Sequence, residues 1–367
     1  MQLKQIPRDA LLKPLQAVSG IVERRHTLPI LANVLLEQKD GRLFVTATDL
    51  EMQITANSEL AGKQEQSVTV GARKLQDLLR ALPEGATLTV ETASGKMTVR
   101  AARSRFNLQT LPATDYPRMG LSKEQQQSIS LPQRQFRGLL KLAEFAMAQQ
   151  DIRYYLNGML LVIDKGTLQA VATDGHRLSY ASISVPGDYA RQEVILPRKT
   201  VLELGKLLED SDAALAIDIL ANQVRFRFSN IELVSKVVDG KFPDYNRVIP
   251  TAHSKRLELS RSELLQALQR AAILSNEKFR GVRLVLGSGQ LKIICTNSEQ
   301  EEAEEELEVD YRGEGLDIGF NITYLLDVLQ NVTTDKVVLS LGDANSSALI
   351  TMQDRADYKY VVMPMRI

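Results

Sequence analysis

The sequence predicts an α+β chain that consists of three tandem copies of one structural unit, each about 120 residues long. Three observations predict this: a strand-end motif that recurs, a strand followed by a helix in each copy, and an amphipathic helix that opens each copy. Because each copy contains two such helices and several short strands, we expect two helices packed over two small antiparallel sheets in every copy.

The strand-end motif occurs three times at nearly constant spacing. It alternates apolar and polar residues and ends in Thr followed by Asp or Asn. It reads RLFVTATDLE at 42–51, TLQAVATDGHR at 167–177 and QLKIICTNSEQ at 290–300. The shared threonines are Thr48, Thr173 and Thr296, which are separated by 125 and 123 positions. This near-constant period predicts three repeats of similar length.

A strand followed by a helix is predicted in each copy, at 68–82, 194–208 and 318–332. Apolar residues in these helices recur at the i, i+3, i+4 and i+7 spacing of one helix face. In the first copy they are Leu75, Leu78, Leu79 and Leu82, and in the second Val201, Leu204, Leu207 and Leu208.

Each copy also opens with an amphipathic helix. In the second copy it is PQRQFRGLLKLAEFAMA at 132–148. In the third copy, Ser260 and Glu263 have the spacing of a capping box. In the first copy, Pro14 should start or kink the helix, because proline lacks the backbone donor that a helix interior requires.

The repeat period also sets the expected domain boundaries. We expect domains at 1–120, 129–245 and 246–367. The first junction contains the polar stretch SKEQQQS, which is typical of a linker.

The composition indicates a globular protein with 44% hydrophobic and 25% charged residues among 367. No apolar run approaches the roughly 20 residues that span a bilayer, and no signal-peptide pattern is found. The single Cys295 excludes an internal disulfide framework. These observations predict a cytoplasmic protein. Metal-ligand spacings and Gly-rich phosphate loops are also missing, so we expect a protein that is not an enzyme and binds no metal or cofactor.

The net charge is zero, but the charges are unevenly distributed. Residues 1–120 hold 16 basic and 12 acidic side chains, residues 121–245 hold 15 of each, and residues 246–367 hold 14 and 18. The two ends of the chain are therefore complementary in charge, which favours head-to-tail association of two chains. The acidic run EQEEAEEELE at 299–308 fits that interpretation, and a solvated acidic face explains it equally well.

Tandem units related by a constant rotation form a ring or a superhelix. If the helices line the inside about 10 Å apart, six of them enclose an opening of about 9 Å, which is too narrow for duplex DNA. Twelve helices from two chains leave about 28 Å, which accommodates a duplex with a water layer.

The whole chain resembles the bacterial replicative sliding clamps, the β subunits of DNA polymerase III. Specific segments that carry the resemblance are QDIRYYLNGML at 150–160, VATDGHRL at 171–178, VDGKFPDY at 238–245 and YVVMPMRI at 360–367. The resemblance implies three clamp domains per chain and a head-to-tail homodimeric ring, with helices inside and sheets outside. Such a ring encircles duplex DNA and tethers polymerases without performing a reaction.

The resemblance also implies partners and a groove that binds their short linear peptides. The implied partners are the DNA polymerase III catalytic subunit, the clamp loader, translesion polymerases, mismatch-repair proteins and DNA ligase, besides duplex DNA and single-stranded template. The implied groove residues are Arg153, Tyr155, Leu156, Thr173, Gly175, His176, Arg177, Leu178, Pro243, Arg247, Val248, Val361, Met363, Pro364, Met365 and Arg366.

Two further sets of residues are implied by the resemblance and by the charge pattern. The implied DNA contacts are Arg25, Arg73, Gln150, Tyr154 and Tyr155. The expected dimer interface comprises Lys74, Lys96, Arg103, Arg105, Phe106, Ile273, Leu274, Glu299, Glu301, Glu304 and Glu305.

The stretch VATDGHRLS at 171–179 has more than one interpretation. The first and third repeats have no His or Arg at this place, so the repeat itself does not need them. The stretch forms one wall of the groove, or it forms a structural turn. The third interpretation is a hydrolase in which His176 is the general base and Asp174 orients it. No nucleophile motif accompanies them, which makes a hydrolase the weakest of the three.

Overall fold

The structure is a computed structural model that describes residues 1–23, 28–60, 64–122 and 124–366. The chain divides into two compact units. One comprises Met1–Arg134 and Leu202–Val237, and the other comprises Gln135–Val201 and Val238–Ile367. No helix in the described ranges is long and apolar enough to cross a lipid bilayer.

Six α-helices occur in the described residues, two in each predicted repeat. They are α1 (Arg8–Val18), α2 (Ala72–Ala81), α3 (Gln133–Ala143), α4 (Arg198–Leu207), α5 (Arg261–Ala271) and α6 (Ile322–Asn331). The two helices predicted for each repeat are therefore confirmed. Helix α1 begins at Arg8, so Pro14 lies inside this helix and does not start it.

The described residues also form 24 β-strands, eight in each repeat. In the first repeat they are β1 (Gln2–Pro7), β2 (Asn33–Lys39), β3 (Arg42–Thr48), β4 (Met52–Glu59), β5 (Gln66–Gly71), β6 (Thr87–Ala93), β7 (Lys96–Ala101) and β8 (Ser104–Leu111). In the second they are β9 (Gln125–Pro132), β10 (Gly158–Asp164), β11 (Thr167–Thr173), β12 (Arg177–Ser184), β13 (Gln192–Pro197), β14 (Ala214–Leu220), β15 (Gln223–Phe228) and β16 (Ile231–Lys236). In the third they are β17 (Lys255–Ser260), β18 (Gly281–Gly287), β19 (Gln290–Thr296), β20 (Glu302–Glu308), β21 (Leu316–Asn321), β22 (Lys336–Leu341), β23 (Ala348–Met352) and β24 (Arg355–Val362).

The first unit contains one twelve-stranded sheet in the order β1-β6-β7-β8-β5-β2-β3-β4-β16-β15-β14-β9. Strands β4 and β16 pair antiparallel and join the first repeat to the second, with Thr55 opposite Glu232. The predicted small sheets therefore continue across a repeat boundary. Pairing of this kind satisfies backbone groups that an exposed strand edge would leave open to other chains.

The second unit contains two sheets. The eight-stranded sheet has the order β13-β10-β11-β12-β24-β23-β22-β17, and the four-stranded sheet has the order β20-β19-β18-β21. Strands β12 and β24 join the second repeat to the third, with Leu178 opposite Val361. This pairing brings the last strand of the chain beside the strand that contains the end of the GHR sequence.

The predicted helix faces form the cores beneath the sheets. In α2, Leu75 and Leu79 are completely buried, as their spacing predicts. Helix α5 begins after Ser260, whose Oγ accepts a hydrogen bond of 3.4 Å from the backbone N–H of Glu263. The N-cap half of the predicted capping box is thus present, and it satisfies one of the free donors at the helix start.

We predict that Gly158→Ala destabilises the second unit. A Cβ at Gly158 would lie 2.5 Å from the carbonyl oxygen of Leu196, a backbone atom of the paired strand β13. Because neither backbone can shift without disturbing their pairing, we expect a loss of about 1–3 kcal/mol, measured by thermal unfolding.

The matched control is Gly138→Ala, in the exposed part of α3, where no atom lies within 4 Å of the added Cβ. This change should stabilise the protein by about 0.5–1 kcal/mol, because Ala favours the helix over Gly. Unfolding temperatures that change in the same direction for both variants would contradict the proposed clash.

Candidate functional site

A cavity of about 200 Å³ opens on the second unit beside the loop between β11 and β12. Most of the predicted groove residues line it, namely Arg153, Leu156, Thr173, Gly175, His176, Arg177, Leu178, Pro243, Val248, Val361 and Met363. Four further residues that we did not predict also line it, namely Phe242, Asp244, Tyr245 and Ser347. The structure therefore brings together residues from the second and third repeats around one opening, which we call the groove.

Five predicted groove residues lie elsewhere. Tyr155 packs against the buried cluster beneath the groove, and Arg247 is exposed, with its Nε 3.5 Å from the carboxylate of Asp244. Met365 and Arg366 line a separate open cleft of about 690 Å³. Pro364 is the residue between Met363, which lines the groove, and Met365, which lines that cleft.

The unpredicted lining residues differ in how visible they are in the sequence. Phe242 and Tyr245 belong to VDGKFPDY, which already marks this region through the resemblance. Ser347 comes from the connection between β22 and β23, and no local pattern singles it out. Its place in the groove is a consequence of the tertiary fold alone.

The floor of the groove is apolar. Leu156, Leu178 and Val361 are almost completely buried, whereas Val248 and Met363 remain 42% and 44% exposed at its mouth. When a partner side chain covers exposed apolar side chains such as these and removes them from water, the free energy of the complex falls. The groove therefore suits apolar side chains of a ligand.

One wall of the groove is a tight turn at the end of β11. Thr173 Oγ1 donates to the carbonyl of Arg177 at 2.5 Å and accepts from the backbone N–H of Gly175 at 3.1 Å. Asp174 Oδ1 accepts from the backbone N–H groups of His176 and Arg177 at 2.9 and 3.1 Å. Gly175 has a φ of +90°, where glycine avoids the strain of a side chain.

The same turn occurs in the first repeat. Thr48 Oγ1 donates to the carbonyl of Met52 at 2.8 Å, and Asp49 Oδ1 accepts from the N–H groups of Glu51 and Met52 at 3.0 and 2.8 Å. In the third repeat, Asn297 Oδ1 also accepts two backbone N–H groups. The Asp or Asn of the repeated motif is thus a turn residue, and the His and Arg after it are particular to the second repeat.

Arg177 points away from solvent, with its side chain 10% exposed. Its guanidinium donates to Asp174 Oδ2 at 3.0 Å, to Asp327 Oδ2 at 2.5 Å and to the carbonyl of Phe145 at 2.8 Å. It also lies 4.4 Å from the ring centroid of Tyr324. Burial alone would lower the pKa of Arg177, but Tyr360, Asp327 and Asp174 outweigh it and raise the pKa above its ordinary value.

The end of the chain lies against this wall. The backbone N–H of Met363 donates to the carbonyl of His176 at 2.8 Å. Two residues later, the N–H of Met365 donates to the carbonyl of Gly319 on β21 at 2.9 Å. The tail is therefore held by backbone hydrogen bonds on both sides of Pro364, which has no N–H to donate.

The geometry does not support a hydrolase. The Asp174 carboxylate accepts backbone N–H groups and the Arg177 side chain, whereas a catalytic pair would place it on the His176 ring. Burial raises the pKa of the Cys295 thiol to about 11, so this cysteine is protonated at neutral pH. Within the described ranges, no group of three or more His, Cys, Asp or Glu side chains could hold a metal ion.

The predicted DNA contacts occupy two places. In the first unit, Arg73 is exposed at the start of α2 and lines a shallow cavity of about 310 Å³. In the second unit, Gln150 is exposed next to a loop in which Tyr154 is 57% exposed and contacts Tyr155 edge-on. Arg25 lies outside the described residues.

That loop is held in one conformation by polar contacts. Asn157 Oδ1 accepts from the N–H of Asp151 at 2.9 Å, and Asn157 Nδ2 donates to its carbonyl at 2.8 Å. Hydrogen bonds from Arg153 lower the pKa of Asp151 to about 2. The exposed tyrosine is thus presented on a preorganised support.

The predicted dimer residues lie on or near two strands, β8 and β20, that have open edges among the described residues. In the first unit, Lys96, Arg103, Arg105 and Phe106 lie on or between β7 and β8, and Lys74 is exposed on α2. Strand β8 pairs with β7 along 104–109, but with β5 only at Thr110 and Leu111. The other edge of 104–109 has no strand partner among the described residues.

The acidic counterpart lies in the second unit. Strand β20 is the edge strand of its sheet and contains Glu304 and Glu305, while Glu299 and Glu301 lie just before it. Ile273 is 78% exposed and Leu274 is half-buried in the turn after α5.

The acidic strand is partly neutralised within its own chain. Arg270 makes two hydrogen bonds to Glu305 and lowers its pKa, and Lys292 donates to Glu304 at 2.6 Å. These two glutamates therefore have cationic partners without a second chain. Any attraction that they offer to the cations of another chain is accordingly smaller than the charge count of the run suggests.

Comparison with known proteins agrees with this architecture along the whole chain. Family models of the DNA polymerase III beta subunit match its N-terminal domain to residues 1–120, its central domain to 130–244 and its C-terminal domain to 246–366. The beta sliding clamp of Pseudomonas putida is 50% identical over 366 residues, covering 99% of both chains. The beta sliding clamp of Vibrio cholerae is 48% identical, with the same coverage.

Solved structures give the same result. The DNA polymerase III subunit beta of Pseudomonas aeruginosa superimposes with a TM-score of 0.96 at 48% identity, covering 100% of both chains. A structure of the same organism's sliding clamp bound to griselimycin matches with a TM-score of 0.96 as well. The repeat, the fold and these similarities lead to one conclusion: the chain belongs to the DNA polymerase III beta subunit family, the sliding clamps.

Proposed function

We propose that this chain is a non-catalytic processivity factor, a cytoplasmic sliding clamp that encloses duplex DNA as a head-to-tail homodimeric ring. The observation that carries the proposal is the full-length similarity to sliding clamps, with a TM-score of 0.96 and no uncovered segment. Each chain contributes three clamp domains, at 1–120, 129–245 and 246–367. Enclosure retains a polymerase on its template without base readout and without a chemical step.

The ring needs weak, sequence-independent contacts with DNA. Arg73, and with it Arg25, would contact phosphates, which supply affinity but carry no sequence information and so permit sliding. Gln150, Tyr154 and Tyr155 would contact DNA from the second repeat, and the exposed ring of Tyr154 can stack on a base of single-stranded template.

The groove would bind short peptides of the polymerase III catalytic subunit, the clamp loader, translesion polymerases, mismatch-repair proteins and DNA ligase. Its buried apolar floor and its exposed Val248 and Met363 support this assignment. Of the predicted groove residues, Tyr155, Arg247 and Pro364 to Arg366 would act from its margins. Since these partners would share the groove, they should compete for it.

The ring would close where β8 of one chain meets β20 of the other. Both strands have open edges, and their flanking charges are of opposite sign. Phe106 and the exposed Ile273 and Leu274 would supply the apolar part of this seam.

Retention by enclosure has a direct test. We predict that the loaded protein stays on a nicked circular plasmid through gel filtration and leaves once a restriction enzyme linearises the plasmid. Linear DNA with blocked ends should retain it, because the ends are the only exit. Retention on linear DNA with free ends would show ordinary adhesion and overturn the proposal.

The groove is tested by deletion of residues 363–367. Because Met363 closes one side of the groove, we expect at least a tenfold loss of affinity for a labelled peptide of the polymerase catalytic subunit, measured by fluorescence anisotropy. Sedimentation should still give the dimer. Unchanged peptide affinity would place partner binding elsewhere.

The repeated turn offers a matched pair of variants. Asp174→Ala and Asp49→Ala each remove a carboxylate that accepts two backbone N–H groups, so each should cost about 1–3 kcal/mol of stability. We expect Asp174→Ala to weaken peptide binding and Asp49→Ala to leave it intact. Equal losses of affinity would mean that general destabilisation, and not the wall of the groove, explains the effect.

The dimer seam is tested by replacing Ile273 and Leu274 with Ala together. Loss of two apolar anchors should shift sedimentation from twice 40.9 kDa towards the single-chain mass. A double Ala variant that remains dimeric at low micromolar concentration would exclude this seam.

Charge reversal at Arg103 and Arg105 should weaken the dimer more at low salt than at high salt, because salt screens exposed charges.

A further inference from the structure

We propose that Asp327 on α6 is a positioning residue for the peptide groove, which it does not line, and that it acts through Arg177. The inference rests on the proposed function of the groove. The sequence offers no sign of it, because Asp327 lies 150 residues from Arg177 and belongs to another repeat.

The side chain of Arg177 points towards α6. The backbone of Arg177 belongs to the groove wall, but its guanidinium lies between Asp327 and the ring face of Tyr324, both on α6. The side chain is 10% exposed, so it cannot exchange these partners for water in place. A planar guanidinium with several directed partners has one well-defined orientation.

Hydrogen bonds also connect the Arg177 guanidinium to the wall of the groove. Arg177 Nε donates to Asp174 Oδ2 at 3.0 Å, while Asp174 Oδ1 accepts the backbone N–H groups of His176 and Arg177. The carbonyl of His176 in turn accepts from Met363 at the mouth of the groove. A continuous series of polar contacts therefore leads from α6 to both the wall and the tail.

Helix α6 is anchored by contacts that do not involve the Asp327 side chain. Leu325, Val328 and Leu329 are buried on its inner face, and Tyr360 Oη donates to the carbonyl of Tyr324 at 2.9 Å. The backbone carbonyl of Asp327 separately accepts from Asn331 Nδ2 at 2.9 Å. None of these contacts uses the Asp327 carboxylate. Its removal therefore takes a hydrogen-bond partner from Arg177 but leaves the position of α6 unchanged.

Loss of the carboxylate charge leaves the Arg177 guanidinium with Asp174 as its remaining carboxylate partner. A buried cation that loses one of two anionic partners is less stable where it is and gains by moving towards water. Arg177 lines the groove, which offers open space for this movement. Such a movement would draw Asp174 out of the turn and place a cation over an apolar floor.

The test uses the full-length protein and a fluorescein-labelled peptide from the clamp-binding segment of its own polymerase III catalytic subunit. Asp327→Asn should weaken peptide binding about tenfold, whereas Asp327→Glu, which keeps the charge, should recover most of the affinity. Retention on circular DNA should be unchanged for both, because the ring is intact. The control is Glu258→Gln, which breaks the ion pair with Lys336 in the same unit away from the groove.

A double-mutant cycle shows whether Asp327 acts through Arg177. Arg177→Lys keeps the charge but loses the fork of donors, so adding Asp327→Asn to it should weaken binding by less than about threefold further. Wild-type affinity of Asp327→Asn, or full additivity with Arg177→Lys, would overturn the proposal. If Asp327→Asn proves too unstable to study, the cycle is run with Asp327→Ala, which removes the same carboxylate and favours the helix.

Failure of the proposal is distinguishable from failure of the proposed function. If deletion of residues 363–367 leaves peptide binding intact, the groove itself is wrongly assigned. If that deletion abolishes binding while Asp327→Asn binds as the wild type does, the groove stands and only the role of Asp327 is refuted.

Discussion

The antiparallel pairing of β12 with β24 is the interaction on which the candidate groove depends. It places Leu178 opposite Val361 and carries the chain's end onto the carbonyl of His176. Side chains alternate between the two faces of a strand, so a slip by one residue would turn this apolar pair away from the groove. The groove is thus a product of strand register between two repeats, and neither repeat could form it alone.

The second repeat shows how a repeated turn acquires a specific role. All three repeats use an Asp or Asn side chain to accept backbone N–H groups after the same strand. In the first repeat, Leu50 occupies the position of Gly175 and also has a positive φ, of 74°. The turn geometry is therefore shared, and the repeats differ in the side chains that come after it. In the second repeat one of these side chains, Arg177, contacts the carboxylate of Asp327 in the third repeat.

Sheet edges account for the remaining organisation. The pairs β4–β16 and β12–β24 join neighbouring repeats, whereas parts of β8 and the outer edge of β20 have no partner among the described residues. Open edges of opposite charge suit association between copies, as head-to-tail closure requires. The glutamates of β20 are partly paired with Arg270 and Lys292, so in the proposed seam backbone pairing and apolar contacts would carry more of the association than charge.

Local periodicity in the sequence predicts three repeats, two helices in each, the strands, and the strand ends at Thr48 and Thr173. Resemblance then pointed to most of the groove lining. The sequence does not predict which strand edges meet, and so it does not predict the place of Ser347, the burial of Arg177 or its contact with Asp327. The physical reason is that periodicity specifies which face of a strand is buried, whereas the choice of partner strand depends on register and packing between segments that are far apart in the chain.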